Sequence, residues 1–130
     1  MKIFGIGTDI VNIKRIKKIL KNNGSRFKNK IFSENEINYC EKKRDPAPFY
    51  AKRFAAKEAF TKALGTGFRK GITFKNISVI NDKNGKPSIK LSGKVKRYLK
   101  KKIKSNKYSI HLSLSDDRPW AQATVIISYR

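Results

Sequence analysis

Two carboxylates stand out for where they fall. Glu58 lies in RFAAKEAFTKALGTGF, residues 53–68, among cations and small or apolar residues, and Asp9 lies in GIGTDIV, behind a short apolar run. At 100° per residue, Glu58 has Phe54, Ala55, Thr61 and Lys62 as helix-surface neighbours, so it borders the apolar stripe instead of the centre of the wet face. A carboxylate there is partly desolvated and needs a partner. Lys62, one turn on in the favoured Glu-before-Lys order, is the plainest one. Asp9 has two readings. It is either a turn or capping residue ahead of a helix, or a ligand for a hard cation such as magnesium, which keeps most of its waters and takes one or two carboxylates plus phosphate oxygens. The two carboxylates belong to different elements, and spacing alone does not bring them together.

A third candidate is LGTGFRKG, residues 64–71. Glycines after a helix let backbone amides approach an anion, with Lys62, Arg69 and Lys70 supplying positive charge. The commoner use of such a stretch is a helix C-cap and a turn. GIGTD is not a dinucleotide fingerprint, since it lacks the third glycine and the ribose-binding acid. His111, the sole histidine, alternates with serines on the polar face of an expected strand. No G-x-S-x-G elbow exists to make a serine nucleophile of any of them, so a place at the sheet surface or against a phosphate is expected for it.

The elements that must position these residues read as follows. Residues 2–11 form a buried strand, loosened by Gly5 and Gly7. Residues 13–21 form an amphipathic basic helix with Ile13, Ile16, Ile19 and Leu20 on one face. Ser33 and Glu36 form a capping box that opens a short helix through about Cys40. KKRDPAPF breaks the pattern, and Pro48 suits the first turn of the longest helix, Phe49 to Leu64, which Gly65 ends. ITFKNISVI reads as a strand, followed by an Asn84-Gly85 turn and SIKL as its hairpin partner. Ser92 caps a short helix over GKVKRYLKKKIK. Residues 108–115 alternate as a half-buried strand, and residues 121–128 form a last apolar one. Helices cluster early and antiparallel strands late. The expectation is an α+β single domain over residues 1–130, with helices packed on a mainly antiparallel sheet.

Composition bounds the partners. The 130 residues carry a net charge of +23 with 38% hydrophobic residues, which points to a folded chain that attracts polyanions: nucleic acid, an anionic surface, phosphorylated metabolites or an acidic protein. Part of the lysine excess also has a compositional reading, because Lys, Asn and Ile share adenine- and thymine-rich codons. Cys40 is the only cysteine, which excludes an intramolecular disulfide and the CxxC spacing of a zinc site. No window reaches the ~18 apolar residues of a membrane span, and the N-terminus lacks a cleavage signal. A soluble cytoplasmic protein without membrane insertion is expected.

GIGTDIV, AKRFAAKEAFTKALGTG and IHLSLSDDRPWAQATVIIS together resemble the holo-acyl-carrier-protein synthases, the small bacterial branch of the 4′-phosphopantetheinyl transferases. F-x-x-K-E-A-x-x-K, here Phe54 to Lys62, matches their signature, with Lys57 beside Glu58, and NGKP falls at their hairpin. The resemblance implies transfer of phosphopantetheine from coenzyme A to a serine of apo acyl carrier protein in fatty acid biosynthesis, releasing adenosine 3′,5′-bisphosphate. It implies a magnesium ion on Asp9 and Glu58, with Asp9, Glu58 and Lys62 as the catalytic set. Coenzyme A contacts are implied at Arg53, Lys62, Gly65, Thr66, Gly67 and His111. Arg15, with Lys14, Lys18 and Ile19, is expected to receive the acidic carrier protein, and a homotrimer with sites between subunits is implied. The chain departs at Ser115, where many relatives carry a second histidine, and at Pro119-Trp120. The competing reading is a small basic nucleic-acid-binding protein, although neither a stacking pattern nor a DNA-reading motif is present.

Overall fold

The computed structural model describes residues 1–105 and 107–130. Five strands and four helices follow one another as β1 (Lys2–Asn12), α1 (Ile13–Ile31), α2 (Glu34–Glu41), α3 (Ala47–Leu64), a 3₁₀ turn (Phe74–Asn76), β2 (Ile77–Asn81), β3 (Pro87–Leu91), α4 (Gly93–Ile103), β4 (Tyr108–Asp117) and β5 (Trp120–Tyr129). All pairing is antiparallel, in a three-stranded sheet ordered β1-β5-β4 and a separate β2-β3 hairpin. This is the expected α+β architecture.

α3 is the hub. It is buried on almost every side, Ala51, Ala55, Ala56, Ala59 and Phe60 being fully inaccessible, as suits a helix that is apolar nearly all round. Pro46 precedes it, and Gly65 ends it in the left-handed conformation (φ 86°), with its amide bonded to Thr61 O. The sheet lays one face on this helix through Val11, Ala121, Ala123, Val125 and Ile127, all buried. The closest approach is at β1. A Cβ on Gly5 would lie 1.8 Å from Ala63 O, and one on Gly7 would lie 1.9 Å from Ala59 O. Only glycine lets strand and helix backbones meet there.

Several boundaries differ from expectation for identifiable reasons. β1 is not a buried strand. Its outward residues Ile3, Ile6 and Ile10 are 52%, 63% and 61% exposed, because nothing among the described residues covers the second face of the sheet. α1 runs ten residues past its expected end to Ile31, bending at Asn23 (φ −143°, ψ 41°), where an Asn-Gly pair weakens the helix and Phe27 and Ile31 then return it to the core. The first half of ITFKNISVI is a 3₁₀ turn, not strand, and only Ile77–Asn81 pairs. The hairpin turn is wider than two residues. Asp82 closes it by accepting the amides of Asn84 and Lys86 on Oδ1, and Gly85 supplies the positive φ of 84°. Ser92 stands at the N-cap of α4 without bonding the helix; its hydroxyl donates to Asn76 Oδ1 instead.

Gly7→Ala tests the close approach. The added methyl must push β1 off α3, so urea denaturation is expected to show a loss of about 2–3 kcal/mol, the upper range for overpacking. Gly24→Ala, where a Cβ meets nothing within 4 Å, is expected to lose none.

Candidate active site

The glycine contact sets the register that matters. With Gly5 and Gly7 against Ala63 and Ala59, the same side of β1 presents Asp9 to α3 two residues on, level with Glu58 and Lys62. Lys62 Nζ donates to Asp9 Oδ1 at 3.1 Å and to Thr8 O at 3.0 Å. So Lys62 crosses to the strand, and Glu58 makes no ion pair among the described residues. The in-helix Glu58–Lys62 pair is absent. Nor is Asp9 a cap, because α1 is capped by Asn12, whose Oδ1 accepts the amide of Lys14 at 2.9 Å.

Glu58 is held above the usual carboxylate range, first by burial and then by the negative charge of Asp9, against the opposing pull of Lys62 and Arg15. A desolvated carboxylate beside a second one, with a single lysine at the pair, suits a divalent cation. No cluster of three or more His, Cys, Asp or Glu exists among the described residues. A cation here would take two protein carboxylates and fill its shell with water and ligand oxygens, which is the habit of magnesium and not of zinc.

Lys57 faces the other way. Its ammonium is fully buried with Glu36, at 2.6 Å from Oε1, and also donates to Phe74 O at 3.0 Å and to Ile77 O. Burial pulls the lysine below its ordinary value and the Glu36 charge opposes this. Glu36 is fully satisfied in turn: Oε1 accepts the Ser33 amide at 2.9 Å and Oε2 the Val79 amide at 3.0 Å. The expected capping box exists, but sequence reading missed that its glutamate is the counter-ion that locks α3 to α2 and β2. Removing one member of such a pair leaves a buried charge unpaired, at a cost of about 3–5 kcal/mol. The available signal was a lysine among alanines on an otherwise buried helix.

Arg53, 2% exposed, stacks its guanidinium over Tyr39 at 4.1 Å. It donates to Phe49 O and to Asn81 Oδ1 on the hairpin. Its buried Nε has no partner among the described residues, and the residue lines a cleft of about 170 Å³ with Lys52, Asn81, Gly85 and Pro87. The Arg53 charge at the wall of this cleft, with Lys52 beside it, gives the cleft a positive lining that suits an anion. In the loop after α3, the amide of Gly65 is used in the cap and the Thr66 hydroxyl donates to Gly67 O. The amides of Thr66, Gly67 and Phe68 make no protein hydrogen bond among the described residues.

On α1, Lys14, Arg15 and Lys18 are exposed and Ile19 is half-buried, and Arg15 lies close enough to Glu58 to act on its charge. The basic helix therefore borders the carboxylates. His111 does not join them. It pairs with Ile126 in register and sits on the uncovered face of the sheet, with Nε2 at 3.1 Å from Ser128 Oγ. Cys40 is core: burial pushes its thiol up to about 12.

The chain is similar to known proteins along nearly its whole length. The sequence model of the 4′-phosphopantetheinyl transferase superfamily matches residues 5–124. The chain is 50% identical to the holo-[acyl-carrier-protein] synthase of Pelagibacter ubique, with 98% of each chain covered. Its structure resembles holo-[acyl-carrier-protein] synthase from Neisseria meningitidis at a TM-score of 0.87 and 37% identity, covering 97% of this chain and 98% of that one. It also resembles the Bacillus anthracis synthase in complex with CoA (3′,5′-ADP), at a TM-score of 0.81 and 36% identity over the whole of both chains.

The carboxylate pair has a consequence measurable without any substrate. In chelator, Glu58→Gln is expected to melt no lower than the parent, because it removes a partly desolvated charge that Asp9 repels. Added magnesium is expected to raise the melting temperature of the parent and leave Glu58→Gln and Asp9→Asn unmoved. Equal shifts in all three would show that the cation binds elsewhere.

Proposed function

The chain belongs to the 4′-phosphopantetheinyl transferase superfamily, and from that premise we propose that it is a holo-[acyl-carrier-protein] synthase. It transfers the 4′-phosphopantetheine group from coenzyme A to a serine of apo acyl carrier protein, in support of fatty acid biosynthesis. The observation that carries the assignment of the site is the meeting of Asp9, Glu58 and Lys62 across the β1–α3 contact. The nucleic-acid reading of the net charge is set aside in its favour.

In the reaction, the serine oxygen forms a bond to the phosphorus bearing pantetheine, and the pyrophosphate bond breaks to release adenosine 3′,5′-bisphosphate. Such a step calls for alignment and charge stabilisation more than covalent catalysis. Asp9 and Glu58 would hold magnesium, which supplies positive charge to the pyrophosphate oxygens when bound. Lys62 ends in a half-exposed ammonium, suited to meeting the same phosphates. Glu58, without an ion-pair partner and with a raised affinity for protons, is suited to take the serine proton through a free oxygen or to pass it to water. The loop amides around Thr66 and Gly67, with Gly65 setting the turn, follow the end of α3 that carries Lys62 and would be available to a phosphate there. Arg53 and its cleft suit a further phosphate of coenzyme A.

The exposed cations Lys14, Arg15 and Lys18, with Ile19 beside them, would receive the carrier protein. Complementary charge there mainly raises the rate of encounter. No helix among the described residues is long and apolar enough to cross a membrane, which fits a cytoplasmic enzyme.

A homotrimer is supported by the uncovered sheet face, where Ile6, Ile10 and Trp120 stand 63%, 61% and 47% exposed. Apolar exposure of this kind marks an interaction surface. His111 lies on that same face, so its contact with coenzyme A would be made from a neighbouring subunit.

Incubation of apo acyl carrier protein with the protein, coenzyme A and magnesium is expected to add one phosphopantetheine by mass spectrometry. The rate should fall by about a hundredfold or more in Asp9→Ala and Glu58→Ala, the scale of losing a principal electrostatic element, and chelator should stop it. No modification of several carrier proteins by the folded protein overturns the reading. Ile6→Glu with Ile10→Glu is expected to disperse the oligomer in sedimentation and to abolish transfer while the monomer stays folded; an unchanged trimer would put the interface elsewhere.

A further inference from the structure

A depression of about 520 Å³ is lined by Lys70, from the loop after α3, and by Tyr98, Lys101, Lys102 and Lys104 from α4 and its C-cap. None of these lysines has an ion-pair partner among the described residues. The surrounding sequence offers none either, since no Asp or Glu occurs between Asp82 and Asp116. Like charges gathered this closely repel one another unless an anion lies between them.

The usual account of cations at a helix C-terminus covers only part of this. Lys101 and Lys102 are in the last turn of α4, where they complement the helix dipole. Lys70 comes from another element, the loop after α3. It and Lys104 are also the only non-glycine residues with positive φ among the described residues, at 60° and 58°. Left-handed backbone disfavours lysine, so both side chains are brought to the same hollow by an unusual local conformation. Gly71 supplies a positive φ of 77° to the loop and lies beside the Lys94 side chain of α4.

We propose that this hollow is a second anion site, for a small molecule carrying more than one phosphate charge. Tyr98, half-buried between the cations, offers such a ligand a hydroxyl donor and a ring face. A concave cluster favours a small ligand over a flat acidic protein face. A lipid surface is disfavoured because the apolar residues of α4, Val95, Leu99 and Ile103, are all buried, leaving nothing to insert. The sequence offered Lys70 to an anion beside Lys62, whereas the structure sets it in a hollow with α4, so this site does not depend on the transferase reading and would survive its failure.

Calorimetric titration with inorganic pyrophosphate, without divalent cations and at roughly physiological salt to screen diffuse attraction, tests it. A Lys62→Gln background keeps the probe off the candidate active site. There, Lys70→Asn with Lys102→Gln is expected to weaken binding by roughly tenfold or more, the scale of two charge-assisted contacts. Lys83→Gln with Lys86→Gln, an equal loss of charge on the hairpin turn, is expected to change it by less than about twofold. Equal weakening in both double variants would assign the binding to the overall cationic surface and overturn the proposal, as would loss of all binding with Lys62→Gln alone. Competition by adenosine 3′,5′-bisphosphate would identify the ligand as a nucleotide, and competition by inorganic polyphosphate alone would identify it as a bare phosphate chain.

Discussion

The site rests on a backbone contact in which no side chain takes part. Gly5 and Gly7 lay β1 directly on Ala63 and Ala59 of α3, and that contact places a carboxylate from the start of the chain beside one from its middle. Any side chain at either glycine would have to displace backbone, not a flexible tip. The contact also fixes which face of β1 is inward. Strand alternation then places Asp9 toward the helix and leaves Ile6 and Ile10 outward. Chemistry and exposed surface are thus two outcomes of one packing decision.

Orientation of α3 about its own axis needs a second constraint, and the Glu36–Lys57 pair supplies it. Lys57 is tied at once to α2, to the 3₁₀ turn and to β2. With Lys57 fixed on one side of the helix, Glu58 is turned about 100° away toward β1. The same knot holds Val79 through Glu36. Two residues further along that strand, Asn81 receives Arg53. One buried ion pair therefore relates the carboxylate end of the site to the arginine cleft. Nothing apolar of the same size would make these directional bonds, which is a physical reason to keep an ion pair in so small a core despite its desolvation cost.

Much of this was legible in the sequence where local rules decide. The capping box at Ser33 and Glu36, the helix ending at Gly65 and the alternation of residues 108–115 all follow from short-range patterns, and the structure has them. The resemblance to a transferase family rested on the F-x-x-K-E-A-x-x-K stretch, and the comparisons support the family. What failed was set by distant partners. Lys62 looked like the mate of Glu58 because helix spacing is all that sequence displays, whereas the actual partner, Asp9, arrives through the fold. β1 read as buried because its composition is apolar, and composition cannot say that one face lacks a cover. Glu36 could be assigned one partner from spacing, its N-cap. Its others, Lys57 and Val79, lie on elements that only tertiary packing brings near.

The uncovered face and the position of His111 bear on the same question. Asp9 faces α3, which carries Glu58, while His111 pairs with Ile126 on the opposite side of the sheet, so the sheet stands between them. A role for His111 at the coenzyme and a role for Glu58 at the phosphates are compatible if the two come from different subunits meeting at that face. Three outward isoleucines on an edge strand are a liability in an isolated chain, and burying them against copies of the chain removes it. The histidine and the oligomer, which entered as separate implications of a family likeness, thus reduce to one proposal: a second copy of the chain on the exposed apolar face would cover it and would bring His111 to a neighbouring site.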